Sequence, residues 1–231
     1  MYTTPTEVLK PPRAAALVAI AGLGTNALVM LALAGLGLRT NALLGGEGLT
    51  SRTADLRNGL VAGSTAQLVL TVLTGIAVIV WLWRARTAAE VIEEPEGWGR
   101  PWVIAGWFVP VLNFWIPRNV VASVWRASAP HGKPPWPVNV WWAAFVVWAL
   151  VGRLGDGDPT GTPGHIHQEI TLRVVDWALG IPAALMAALV VWRITRFQEA
   201  QAVRLALAVA APPAPPAPDA APPDLAVSDP A

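Results

Sequence analysis

The sequence contains no cysteine, which excludes disulfides, thiol nucleophiles, zinc ribbons and thiolate-bound clusters. Charge is scarce as well. Asp, Glu, Lys and Arg make up 13% of the 231 residues, against about 25% in an ordinary soluble domain. With a net charge of +1 and no recognised nucleic-acid motif, the chain offers no basic face to nucleic acid. Nucleophile signatures, phosphate-cradling glycine loops and dinucleotide fingerprints are all missing. No pair of carboxylates lies within an apolar run, so a proton-driven transporter or an intramembrane acid–base enzyme lacks its usual parts. The expectation is a protein that is not an enzyme and uses no cofactor.

What the chain has in quantity is apolar surface. Hydrophobic residues make up 54%, with 13 tryptophans against four phenylalanines and one tyrosine. Tryptophan favours the membrane–water boundary because its ring is amphipathic, so its positions help to locate that boundary. Residues 1–13 form a polar, proline-containing tail ending in Lys10 and Arg13. The uncharged run 14–38 that follows exceeds the roughly 20 residues needed to cross the hydrocarbon core. A basic start before an apolar run also has the shape of a signal peptide, with Ala32-Leu33-Ala34 as a cleavage-like triplet. The run is longer than the usual apolar region of about 7–15 residues, so a retained span is preferred.

A polar loop is expected from Thr40 to Asn58, then a second span over 59–83 closed by Arg84 and Arg86. Ser64, Gln67, Thr71 and Thr74 recur within it at three- and four-residue steps, which aligns them on one helix face. Interhelical hydrogen bonding explains such a stripe best; a polar solute path is the alternative. Gly59-x-x-x-Gly63 is a candidate close-packing contact. Shorter apolar runs at 138–152 and 174–192 give a third and a fourth span, with Pro182 inside the last. Arg173 and Asp176 are spaced to pair. Residues 198–231 should form a helical extension and then a disordered Ala/Pro-rich tail.

Residues 101–128 break this pattern. Pro110 and Pro117 each remove a backbone donor from a stretch that is otherwise apolar enough for a membrane. Asn113 between them needs partners wherever it leaves water. The reading is a re-entrant or interfacial element, anchored by Trp102, Trp107 and Trp115. A short amphipathic helix follows from Pro117 to Ser128, expected to lie along the membrane surface with Arg118 and Arg126 toward water, with docking on a neighbouring helix as the alternative. Orientation follows the tendency of Lys and Arg to stay cytoplasmic. With four spans, only Arg39, Arg52, Arg57, Arg153 and Arg173 of the 16 basic residues fall outside. A fully crossing 101–117 segment would instead put nine of them outside. Both termini are therefore expected in the cytoplasm, with Trp81, Trp83, Trp136, Trp141 and Trp192 near the inner boundary.

The three histidines, at 131, 165 and 167, all fall in expected loops. An extended His165-x-His167-x-Glu169, with Asp156 and Asp158 nearby, would point ligands to one side of a strand. Nothing in the sequence fixes a ligand geometry there, so no metal site is expected.

The run Gly106-Trp107-Phe108-x-Pro110-x-x-Asn113-x-Trp115-x-Pro117, followed by Trp125-Arg126-Ala127-Ser128, resembles the signature of a family of bacterial membrane proteins known as domain of unknown function 4328. Trp81-Leu82-Trp83-Arg84-Ala85-Arg86 and Trp141-Trp142 are similar to that family's flanking pattern. Ala88 and Arg118 depart from it, where members often carry an asparagine and an aromatic residue. The resemblance implies a multi-span membrane protein and no particular activity. Taken together, the sequence describes an all-α integral membrane protein of the plasma membrane, with a membrane domain over 14–197. Its expected role is a non-enzymatic envelope or scaffolding component. Its partners would be the lipid bilayer and, through the proline-rich tail, other membrane or cytoplasmic proteins. A small transporter or channel subunit and a membrane-bound lipid enzyme are the alternatives.

Overall fold

The computed structural model describes residues 9–93, 98–109, 111–130, 132–153 and 163–210. Among them every regular element is helical: α1 (Arg13–Glu47), α2 (Ser51–Ile92), α3 (Trp102–Ala105), a 3-10 turn (Leu112–Phe114), α4 (Ile116–Ser128), α5 (Trp136–Gly152) and α6 (Pro163–Ala210). Three of these, α1, α2 and α6, are long and apolar enough to cross a membrane, and α5 is a shorter apolar helix of 17 residues. Their outer faces carry exposed Leu17, Leu28, Leu31, Leu68, Val72 and Leu73. A surface of this kind suits acyl chains rather than water.

Helix α1 packs antiparallel to both α2 and α6, which run parallel to each other. On α2, a Cβ at Gly63 would stand 2.5 Å from Leu33 Cδ2, so the absent side chain is what lets α1 and α2 approach there. Gly59, the other half of the expected contact, faces open space. Along α6, Gly180 does the same for α1 and α5, since a Cβ would meet Met30 Sδ at 2.6 Å and Trp148 Nε1 at 3.0 Å. Arg13 at the start of α1 pairs with Glu199 late in α6 at 2.8 Å. Near the other end, Asn41 Nδ2 donates to Thr171 Oγ1 at 2.9 Å. The start of α1 and the later part of α6 thus share one end of the bundle with the end of α2 and the start of α5. The chain between α2 and α5 leaves and returns at this same end, here called the cap end.

Several expectations change. Thr40 to Asn58 is mostly helix: α1 continues to Glu47, and α2 begins at Ser51 behind a Thr50–Thr53 capping box. The reciprocal bonds of that box satisfy amides at the helix start that would otherwise lack partners. His165, His167 and Glu169 are likewise helical, within α6. Helix α4 does not lie free on a surface. Ten of its 13 residues are buried, including Ala122 and Ser123 from the side expected to face water. Small residues there let the helix sink among α2, α5 and α6, and Arg126 remains exposed. Trp81 and Trp141 are core residues, while Trp83, Trp136 and Trp192 are exposed. Pro110, His131, Asp156, Asp158 and the expected tail from Ala211 to Ala231 lie outside the described residues.

Candidate functional site

At the cap end, the Trp/Pro motif builds a lid. Gly106 is packed so closely that a Cβ would reach Ile116 Cγ2 at 2.6 Å and the Trp102 carbonyl at 2.7 Å. Trp107 therefore turns inward, edge-on to Trp142 and Phe145 with centroids 6.2 and 6.1 Å apart. Trp142 Nε1 donates to the Phe114 carbonyl at 3.1 Å and pins the turn. Pro117 sits in the first turn of α4, where its missing N–H leaves no intrahelical bond unmade. Trp125 is buried edge-on against Phe197, 5.2 Å between centroids. Ser128 Oγ accepts from Gln198 Nε2 at 3.0 Å, and the same amide donates to the Ala85 carbonyl at 2.7 Å. One buried glutamine thereby joins α2, α4 and α6. The sequence reading did not include it.

Charge holds the lid from beside. Arg86, buried in the lid's base, faces Glu90 at 3.4 Å and Ser123 Oγ at 3.5 Å. Arg100 donates to Glu90 Oε2 from Nε at 2.7 Å and again from its terminal nitrogen. The Arg100 hydrogen bond holds the Glu90 carboxyl below its ordinary range; burial opposes this, and the charges of Arg100 and Arg86 reinforce it. On the other flank, Arg118 donates to Asn139 Oδ1 at 2.7 and 3.1 Å and ties α4 to α5. Phe108, Val111 and Trp115 point outward, 73%, 74% and 68% exposed. Val111 has φ +68°, a conformation that crowds a β-branched side chain and persists only where surrounding structure holds it. Asn113 is half-buried, and its Oδ1 has no partner among the described residues.

Midway along the bundle, the polar stripe converges on a residue absent from the sequence reading, Asn26 of α1. Asn26 Oδ1 accepts from Gln67 Nε2 and from Thr71 Oγ1, both at 2.8 Å. Its Nδ2 donates to Thr74 Oγ1 at 2.7 Å and to the Gly22 carbonyl at 3.0 Å. Ser64 stays apart and donates to its own helix at Leu60, 2.7 Å. The Gln67 carbonyl oxygen Oε1 is buried without a hydrogen-bond partner among the described residues.

Two cavities flank this cluster. One, of about 410 Å³, reaches from Gln67 and Thr71 toward the end away from the lid, where Arg57, Glu169, Arg173 and Asp176 line it. The other, of about 170 Å³, runs toward the lid between apolar walls such as Leu23, Val78, Phe145 and Ala184, and Trp107 contributes to its lining. Met30, Thr71 and Trp148 line both. Through these shared residues the two cavities adjoin, and together they are called the groove, with charged residues in the lining at one end and apolar walls at the other. At the charged end Arg173 pairs with Glu169 at 3.4 Å rather than with Asp176 as the spacing suggested. His165 and His167, two apart on a helix, project to different faces. Among the described residues no group of His, Asp and Glu could hold a metal ion.

Fold and site together define an all-helical protein with three helices fit for a membrane, a tryptophan-built lid and a chemically graded groove. A match to the family described as "Domain of unknown function (DUF4328)" spans residues 47–196, and the chain belongs to that family. No curated protein and no solved structure matches it significantly.

Proposed function

We propose that this protein is a non-enzymatic, multi-pass component of the plasma membrane that holds a lipid-like molecule in its groove. The observation that carries this reading is the groove's gradient, from charged residues at one end to apolar walls beyond Asn26. A groove with apolar inner walls and polar at one end matches an amphiphile better than a soluble solute. Four spans are part of the reading. Helix α5, at 17 residues, extends about 25 Å and falls only a little short of the hydrocarbon core, with Trp136 and Arg153 at its flanks. The lid is then interfacial, with Phe108, Val111 and Trp115 set into the cytoplasmic leaflet and both termini in the cytoplasm.

Gly75 lines the apolar cavity, and a Cβ there meets no heavy atom within 4 Å. Gly75→Trp should put an indole into the groove and lower the lipid retained per purified protein about fivefold, measured by mass spectrometry of organic extracts. Gly35→Trp, equally open and away from both cavities, should retain the wild-type amount. Equal retention by both variants would remove the groove reading. For orientation, the chain has no native cysteine, and Lys133 is exposed just beyond α4. A cysteine at Lys133 should resist a membrane-impermeant maleimide in intact cells and react after permeabilisation. Modification in intact cells would put the lid on the outer face.

A further inference from the structure

The groove also carries information about its occupant. Between Arg57 and Gln67 helix α2 rises about 15 Å, and between Thr71 and Ile79 about 12 Å more. Cations stand at the mouth. Arg57 makes no ion pair among the described residues, and Arg173 shares only Glu169. Further in, two buried polar atoms on lining residues have no hydrogen-bond partner among the described residues: the acceptor Gln67 Oε1, on a residue only 5% exposed, and the donor Trp148 Nε1; the Asp176 carboxylate lines the same cavity. Gln67 is not free to reverse its amide, because its Nε2 is committed to Asn26 Oδ1 at 2.8 Å and Thr71 Oγ1 at 3.3 Å. A buried acceptor left unmade is costly, so an occupant that donates a hydrogen bond at this depth gains over one that does not. Beyond the waist of Met30, Thr71 and Trp148 the walls are apolar and the volume, about 170 Å³, is well below that of the outer cavity.

Resting on the groove reading above, we propose that the ligand is a single-chain amphiphile with three ordered parts: an anionic head against Arg57 and Arg173, a hydroxyl donating to Gln67 Oε1, and a chain running past Thr74 toward Trp107. Arg57, which has no ion pair among the described residues, selects the anion, the amide oxygen selects the hydroxyl, and the smaller inner cavity selects one chain.

The test uses full-length protein in nanodiscs and two probes, 1-lauroyl lysophosphatidic acid and its 2-deoxy analogue, which lacks only the free hydroxyl. Wild type should bind the hydroxylated probe about tenfold tighter. Gln67→Leu should erase that preference, and Arg57→Gln should weaken both probes about equally. Glycerol 3-phosphate, which has the head and no chain, should not compete. Equal affinity of wild type for the two probes overturns the assignment of Gln67, a result that does not depend on any variant folding. Competition by glycerol 3-phosphate overturns the requirement for a chain. If Gly75→Trp leaves both affinities at the wild-type level, the groove reading itself fails, which separates that failure from an error about the hydroxyl.

Discussion

Glu90→Gln is expected to lower the stability of the lid end by about 1–3 kcal/mol, the range for weakening the partner of a buried polar group. Arg86 is buried, and Glu90 is the carboxylate it faces, 3.4 Å away. Neutralising Glu90 leaves the buried Arg86 guanidinium facing an amide oxygen in place of a carboxylate, with the Ser123 hydroxyl at 3.5 Å as its other partner. It also releases Arg100, which ties the start of the lid to α2. Thermal denaturation in detergent, followed by tryptophan fluorescence, should show a fall in Tm of about 5 °C for a chain of this size. A Tm within 2 °C of wild type would mean that Arg86 is solvated after all. Replacing the pair together, Arg86→Met with Glu90→Leu, should recover most of the loss, because it is the unpaired charge that costs. The sign of the pH dependence follows. The folded state holds Glu90 below its ordinary value of 4.5, so its contribution is complete above that pH and is lost as pH falls through the folded value. The Glu90→Gln chain should lack that acid transition.

Asn26→Leu is expected to cost about 2 kcal/mol. Asn26 serves Gln67, Thr71, Thr74 and the Gly22 carbonyl at once. If every group lost its only partner, about 1–3 kcal/mol apiece would apply. Hydrogen bonds measured inside bilayers average nearer 0.6 kcal/mol, because freed groups find other partners. Here the threonines have one: Thr25, Thr87 and Thr195 all donate to carbonyls four residues back, and Thr71 and Thr74 can do the same. Gln67 cannot, so its amide decides the size of the effect. Thr25→Val, at an exposed site bonded only to its own helix, should change stability by less than about 0.5 kcal/mol. Equal effects from Asn26→Leu and Thr25→Val would show that the cluster does not bind α1 to α2.

The long helices were legible because uninterrupted apolar runs leave a buried or lipid-facing helix as the economical solution. The stripe on α2 was legible because four polar side chains shared one period. Asn26 was not, since a lone amide in an apolar run has no periodic companion to mark it. Helix ends were misplaced where Gly45-Gly46 and the charges of 52–57 resemble a loop, although the Thr50–Thr53 box is itself a start signal. That error hid the charged mouth of the groove: Arg57 and Glu169 line one cavity only because α2 and α6 extend beyond their apolar cores. Helix α4 was misjudged because Ala122 and Ser123 look like a water-facing side while being small enough to bury. The roles of Trp107, Trp125 and Ser128 depend on partners far away in sequence, Phe197 and Gln198 among them, and no local pattern announces those.

Helix α1 lies along α6, from Arg13 at Glu199 to Asn41 at Thr171. Of the three long helices α1, α2 and α6, the one made first thus depends on the one made last. At about 5–20 residues per second, the stretch from Glu47 to Pro163 keeps α1 waiting on the order of 10 s with one flank uncovered. During that delay α1 and α2 can pair and α4 can settle on α2 and α5, while the contacts of Gln198, Phe197 and Glu199 wait for α6.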